Sequence, residues 1–316
     1  MRLHARGTPW SASVTVLAAL AVVVTGAGLA GCTTTAATPA ETSSTAPSNP
    51  PPPTPLRNLA VTVTGLPLVD ATRQVRSGDQ VLATQRTLPT FVWTPAGAGP
   101  FPLVVFVHGY DKGPLDYQRF CSTLASSGYV VVAPSFPQED PARGFPLDRT
   151  RLADEAADVT FVITALEKLP SEPVDDSRVA IVGHSDGADV ALLVGYGTGS
   201  VDPRVGAVVA DASDPMTVVP VASHVPLLLV HGTADSVVPY SSSQTVFHQV
   251  DAPVFFVSLL GADHLPPIAG GTRWTPVLDA AVALFLDATV SDRGSGDTSL
   301  ESGLSSSALV RFESKG

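Results

Sequence analysis

The sequence predicts an α/β domain whose central sheet is mostly parallel and covered by helices on both faces. The first sign is a series of short, unbroken apolar runs, "PLVVFVHG", "RVAIVG", "VPLLLVHG" and "APVFFVSLLG", which is how strands buried on both faces read. The second is what lies between them. Apolar residues there recur every three or four positions, as on the covered face of a helix, and strands alternating with helices make a parallel sheet. The third is composition: 316 residues, 44% hydrophobic and 15% charged, suit a sizeable core.

The N-terminus reads as an address. Arg2 and Arg6 precede the apolar stretch "SVTVLAALAVVVTGAGLAGC", and a basic start, an apolar middle and a small-residue end describe a secretory signal peptide over residues 1–31. A transmembrane anchor is the alternative, since about 20 apolar residues span a bilayer, but Thr25, Gly26 and Gly28 weaken the end of such a helix. Leu29-Ala30-Gly31-Cys32 resembles the bacterial lipobox. That resemblance implies a lipid on Cys32 and a lipoprotein held on the outer, extracytoplasmic face of the cell membrane. Each buried methylene of such an anchor contributes about 0.8 kcal/mol. Residues 32–55 are rich in Thr, Ser and Pro and cannot bury a core. They read as a tether, partly stiffened by Pro50 to Pro53. With Cys32 acylated, Cys121 has no disulfide partner and reads as a small buried hydrophobe.

The folded domain is expected over residues 56–290. "LAVTVTG" and "TFVWTP" suggest an antiparallel pair. "PLVVFVHG" (102–109) is a buried strand, "LDYQRFCSTLASSG" a helix closed by Gly128, and "YVVVAPSFP" (129–137) the next strand. Residues 148–169 place Leu152, Ala156, Val159, Ile163 and Leu166 on one helical face. The strand series continues through "RVAIVG", "RVGAVVAD", "VPLLLVHG" and "APVFFVSLLG", and "PVLDAAVALFLDA" is the last clear helix. The polar tail, residues 291–316, either adds a short final element or carries none. The formal charge of −11 becomes more negative without Arg2 and Arg6. Such a surface repels nucleic acid and anionic lipid, so nucleic acid is excluded as a partner.

One serine stands out. Gly183-His184-Ser185-Asp186-Gly187 lies between a buried strand and a helix, the context that gives G-x-S-x-G its meaning. A serine in so tight a turn takes a backbone conformation costing about 1–3 kcal/mol, and the glycines avoid collisions with the neighbouring strand and helix. The hydroxyl then projects at a helix N-terminus, whose dipole favours developing negative charge. Glycine-rich strand–helix turns also bind phosphates. A nucleophile further needs a base and an orienting carboxylate, in the chain order Ser, acid, His. Asp235 follows "VPLLLVHG" and His264 follows "APVFFVSLLG". Asp211, which ends the strand before, is the alternative acid. Asp263 is too close in the chain to reach the far side of the His264 ring and reads as structural. His224 and His248 are expected to face solvent. No H-x-x-x-H or H-E-x-x-H motif calls for a metal.

"VVFVHGY", "GHSDG", "HGTADSVVP" and "GADH", spread over about residues 88–288, resemble the α/β-hydrolase family. The nearest likeness is to its compact bacterial branch around dienelactone-hydrolase-like, chlorophyllase-like and cutinase-like esterases. The resemblance implies Ser185 as nucleophile, His264 as general base and then acid, and Asp235 as the orienting carboxylate. His184 and His231 sit in motif positions typical of that family and read as structural. It places the oxyanion between the backbone N–H groups of Tyr110 and Asp186, with the Tyr110 side chain either lining the pocket or packing on its loop. It implies a serine carboxylesterase working through an acyl-enzyme, without a cofactor, on a small-molecule or surface ester. Acyl transfer to an envelope alcohol or sugar by the same triad is the alternative. Polyester hydrolysis is disfavoured, because "ADASDP" stands where many such relatives carry a tryptophan. The interval from Ser185 to "VPLLLVHG" leaves no room for a sizeable cap domain, so the site is expected to be open. Asp186 departs from the commoner neutral residue; its carboxylate would oppose an oxyanion and is expected to face away.

Overall fold

The computed structural model describes residues 57–169, 173–214, 223–251, 253–291, 297–304 and 307–316. The leader, Cys32 and the tether lie outside the described residues. Among the described residues no helix is long and apolar enough to cross a membrane.

The strand β1 (Val61–Asp70) leads through a small hairpin, β2 (Val75–Ser77) and β3 (Gln80–Ala83), to β4 (Arg86–Pro95). β1 and β4 form the expected antiparallel pair, with Val61 opposite Pro95 and Asp70 opposite Arg86. The alternation then runs as the sequence predicts: β5 (Phe101–Val107), α1 (Gln118–Ser126), β6 (Val130–Pro134), α2 (Leu152–Leu166), β7 (Val174–His184) and α3 (Asp186–Tyr196). It continues through β8 (Val205–Asp211), β9 (Leu227–Gly232), α4 (Tyr240–Gln249), β10 (Val254–Leu259), the short α5 (Pro266–Ala269) and α6 (Thr275–Thr289).

All these strands except the β2–β3 hairpin join one sheet in the order β1-β4-β6-β5-β7-β8-β9-β10, with a further strand beyond β10. From β6 to β10 every pairing is parallel. Side chains alternate across β5 as strand geometry requires. Leu103, Val105 and Val107 pack on one face with α2, α3 and α4, while Val104 and Phe106 pack on the other with α1 and α6. Every residue of β5 is buried, which is why its sequence reads as one apolar run. This is the two-faced α/β-hydrolase architecture.

Two features depart from the sequence reading. The domain does not end at residue 290. Within the tail, α7 (Asp297–Leu304) buries Leu300 and Leu304 in the core, and β11 (Val310–Lys315) pairs antiparallel with β10. β11 is an edge strand covered on one side only, with Phe312 stacked on Phe255 and Arg311 and Glu313 exposed. Its alternation is therefore too sparse in apolar residues to read as a core strand. The second departure is a buried charge pair. Arg86 on β4, 2% exposed, donates to Asp158 on α2, which is fully buried, and Arg73 joins the same carboxylate. The pair fastens the antiparallel edge of the sheet to a helix.

Candidate active site

The loops that follow β5, β7, β8, β9 and β10 meet at the carboxyl end of the sheet. Three non-glycine residues among those described hold positive φ, namely Asp111 at 56°, Ser185 at 58° and Ala212 at 58°. They follow β5, β7 and β8 in turn, so backbone strain concentrates at this one rim. The glycines around Ser185 explain the turn. A Cβ on Gly183 would stand 2.0 Å from the carbonyl oxygen of Gly187, and one on Gly187 would stand 2.2 Å from that of Val107. β7 is pressed against α3, and α3 against β5, too closely for any side chain. A Cβ on Gly109 would come within 3.0 Å of the Ser185 Cβ, so the loop after β5 rests directly on the serine.

Three side chains from distant parts of the chain converge here. Ser185 Oγ lies 3.0 Å from His264 Nε2, and His264 Nδ1 lies 2.7 Å from Asp235 Oδ2. Asp235 Oδ1 accepts from the N–H groups of Val237 and Val238, each at 2.8 Å. Because the carboxylate only accepts, His264 carries its proton on Nδ1. Its Nε2 lone pair then faces the Ser185 hydroxyl, a tautomer assigned from these partners. Asp263 pins the base loop to the acid loop. Its Oδ1 accepts from the N–H and hydroxyl of Ser236 and from the His264 N–H, bonds that hold its carboxyl below the usual range. It does not bond the imidazole, in keeping with a structural role.

The alternative acid behaves differently. Asp211 accepts the Ser185 N–H through its backbone oxygen at 2.9 Å, while its buried carboxyl has an Oδ2 without a partner. Burial first, and Asp235 second, push it well above the ordinary carboxyl range. The geometry therefore joins Asp235, not Asp211, to His264.

His231 and His184 are structural, as the sequence implies, yet both brace the site. His231 Nδ1 accepts from the Ser243 hydroxyl at 2.7 Å, and its Nε2–H lies between Val238 O at 3.1 Å and Asp235 Oδ2 at 3.2 Å. Burial lowers its basicity and keeps it neutral. His184 Nδ1 accepts from the Tyr117 hydroxyl at 3.0 Å, and its Nε2–H donates to the His264 backbone oxygen at 3.3 Å. Burial, and then the neighbouring His264, pull its pKa down to about 3. The Tyr117 oxygen also accepts the Gly109 N–H at 3.3 Å. Gly109, Tyr117, His184 and the His264 backbone thus form an uncharged strut between the loop after β5 and the base loop. No local pattern in the sequence points to Tyr117 or Ser243, because their partners are remote in the chain.

A cavity of about 200 Å³ opens in front of Ser185, lined among others by Tyr110, Lys112, Arg149, Asp186 and Val237. The Tyr110 side chain is 41% exposed and faces this cavity. The Asp186 carboxyl is nearly buried and turned to Arg149, whose guanidinium lies 2.7 Å from Oδ1. Arg149 was not singled out by the sequence, since it stands outside every motif. His224 and His248 are exposed, as expected. Among the described residues no group of His, Cys, Asp or Glu is arranged to hold a metal ion.

Comparison with known proteins fits this architecture. The family model for chlorophyllase matches residues 69–237, more than half of the chain. The chain belongs to the chlorophyllase family. Chlorophyllase-1 of Citrus sinensis is 33% identical over 135 residues, 40% of this chain and 40% of the relative. Chlorophyllase type 0 of Chenopodium album is 27% identical over 113 residues, and chlorophyllase-1 of Arabidopsis thaliana 28% over 120 residues. These matches span about 40% or less of the length of the curated relatives. The part of the chain matched by the chlorophyllase model contains Ser185 and Asp235, while His264 lies beyond it.

Proposed function

We propose that this chlorophyllase-family protein is a serine carboxylesterase that works through an acyl-enzyme. The observation that carries the reading is the unbroken line from Ser185 Oγ through His264 to Asp235, at 3.0 and 2.7 Å. In the first half-reaction, the Ser185 proton passes to His264 Nε2 as Oγ bonds to the ester carbonyl carbon. The carbonyl oxygen takes the negative charge and is held by the N–H groups of Tyr110 and Asp186. Loss of one such donor typically costs about 10²–10³ in turnover. Collapse breaks the bond to the alcohol, which leaves with the proton from His264. Water then repeats the sequence: His264 takes its proton, the acid is released, and the hydroxyl of Ser185 is restored.

Ser185→Ala tests the assignment on short p-nitrophenyl esters and on labelling by a fluorophosphonate. Loss of both is expected, and undiminished turnover removes Ser185 from the mechanism. The relatives are named for chlorophyll, so a panel of esters graded by acyl length, with chlorophyll as one arm, defines the substrate class. The envelope location is part of the same proposal. Cys32→Ser is expected to abolish incorporation of labelled palmitate and to release the protein from membranes.

A further inference from the structure

The Asp186 side chain poses an electrostatic problem that its backbone does not. Its N–H is one of the two donors assigned to the oxyanion, and its carboxyl belongs to the same residue, 4% exposed, beside the cavity that holds Ser185. Oδ1 is taken by Arg149 at 2.7 Å, while Oδ2 has no partner among the described residues. The surroundings are acidic. Glu139 from the loop after β6, Glu155 from α2, Asp189 from α3 and Asp214 after β8 all act on this carboxyl or feel it. Arg149, in the turn before α2, is the cation that faces Asp186, Glu139 and Asp189 together.

Resting on the acyl-enzyme reading, we propose that Arg149 is a positioning residue for the oxyanion: it neutralises Asp186, so that a donor built on an acidic residue can hold negative charge. Like charges a few ångströms apart at a partly exposed site repel strongly enough to change a rate by one to two powers of ten. Burial raises the Asp186 carboxyl and Arg149 opposes that rise, so without Arg149 the carboxyl, to the extent that it stays ionised, opposes the oxyanion. The effect falls on the step in which negative charge develops, so it lowers kcat rather than substrate binding.

The test uses the full chain and an uncharged short p-nitrophenyl ester, with fluorophosphonate titration to count active sites. Arg149→Gln is expected to lower kcat about 10- to 100-fold with KM changed less than about threefold. Arg149→Gln/Asp186→Asn, which removes both members of the pair, is expected to regain most of the lost rate. Arg149→Lys keeps the charge and is expected to fall between. The proposal is overturned if Arg149→Gln turns over within twofold of the native protein, or if the double variant is as slow as the single one. Equal losses in Arg149→Lys and Arg149→Gln overturn it as well. Should Arg149→Gln fold too poorly to assay, the double variant decides. Turnover within about tenfold of native is then expected, and a loss beyond about 100-fold sinks the charge argument. Failure of the acyl-enzyme reading looks different, since Ser185→Ala would then stay active whatever Arg149 does.

Discussion

Asp235→Asn is the most informative single substitution, because the structure dictates which way the new amide turns. The N–H groups of Val237 and Val238 both point at Oδ1 from 2.8 Å. An amide placing its NH2 there would leave two donors facing a donor, at about 1–3 kcal/mol for each unpaired group. At Oδ2 the one fixed donor is His231 Nε2–H, which keeps Val238 O as a partner. The asparagine oxygen therefore takes the Oδ1 position, and the NH2 turns toward His264 Nδ1, now 2.7 Å from Oδ2. His264 then accepts on Nδ1 and carries its proton on Nε2, against the Ser185 hydroxyl it should deprotonate. The same tautomer error in a protease triad costs about 10⁴ in kcat, or roughly 5 kcal/mol. The assay is kcat for p-nitrophenyl butyrate near pH 8, with the Ser185→Ala background subtracted. Asp211→Asn serves as the control and is expected to lose less than about tenfold, because the imidazole bonds to Asp235 while Asp211 Oδ2 has no partner. A loss below about tenfold in Asp235→Asn, or a larger loss in Asp211→Asn, would refute the assignment of the acid.

Three further outcomes follow from packing and charge. Arg86→Ala leaves the fully buried Asp158 with Arg73 as its remaining cation; urea unfolding should show a loss of about 3–5 kcal/mol, and a loss under about 1 kcal/mol contradicts a buried pair. Gly187→Ala puts a methyl 2.2 Å from the Val107 oxygen and 2.6 Å from that of His108; a stability loss of at least about 2 kcal/mol is expected by thermal melting. Burial, and then Asp186, push Glu139 up to about 8, with Arg149 opposing and Asp148 adding to the rise. The folded chain thus keeps a proton that the unfolded chain releases above about pH 4.3. Fewer protons are bound unfolded than folded, so this group's contribution to stability falls as pH rises from about 5 to 8. Glu139→Gln should flatten that slope in urea melts across the range, and an unchanged slope shows that Glu139 does not hold the proton.

Much of the site was legible because its motifs are local. Gly183 and Gly187 flank Ser185 for steric reasons that act within a few residues, and Asp235 and His264 each follow an apolar run that can only be a buried strand. The tail was harder. β11 has one covered face, so its sequence lacks the density that marks β5, and the polar residues 291–316 left open whether a final element forms there. Arg149, Tyr117 and Ser243 were invisible for another reason: each acts on a partner many residues away, and nothing near them in the chain signals it.

Local pattern was thus sufficient for the alternating fold, the strained serine and the order of the candidate triad, since backbone geometry and burial act over short stretches. Family likeness already pointed to Asp235 as the acid, but its contact with the imidazole needed the folded chain, because Asp211 also ends a buried strand. So did the pairing of Asp186 with Arg149. Distance in space sets electrostatic interaction, and one-dimensional order leaves that distance open.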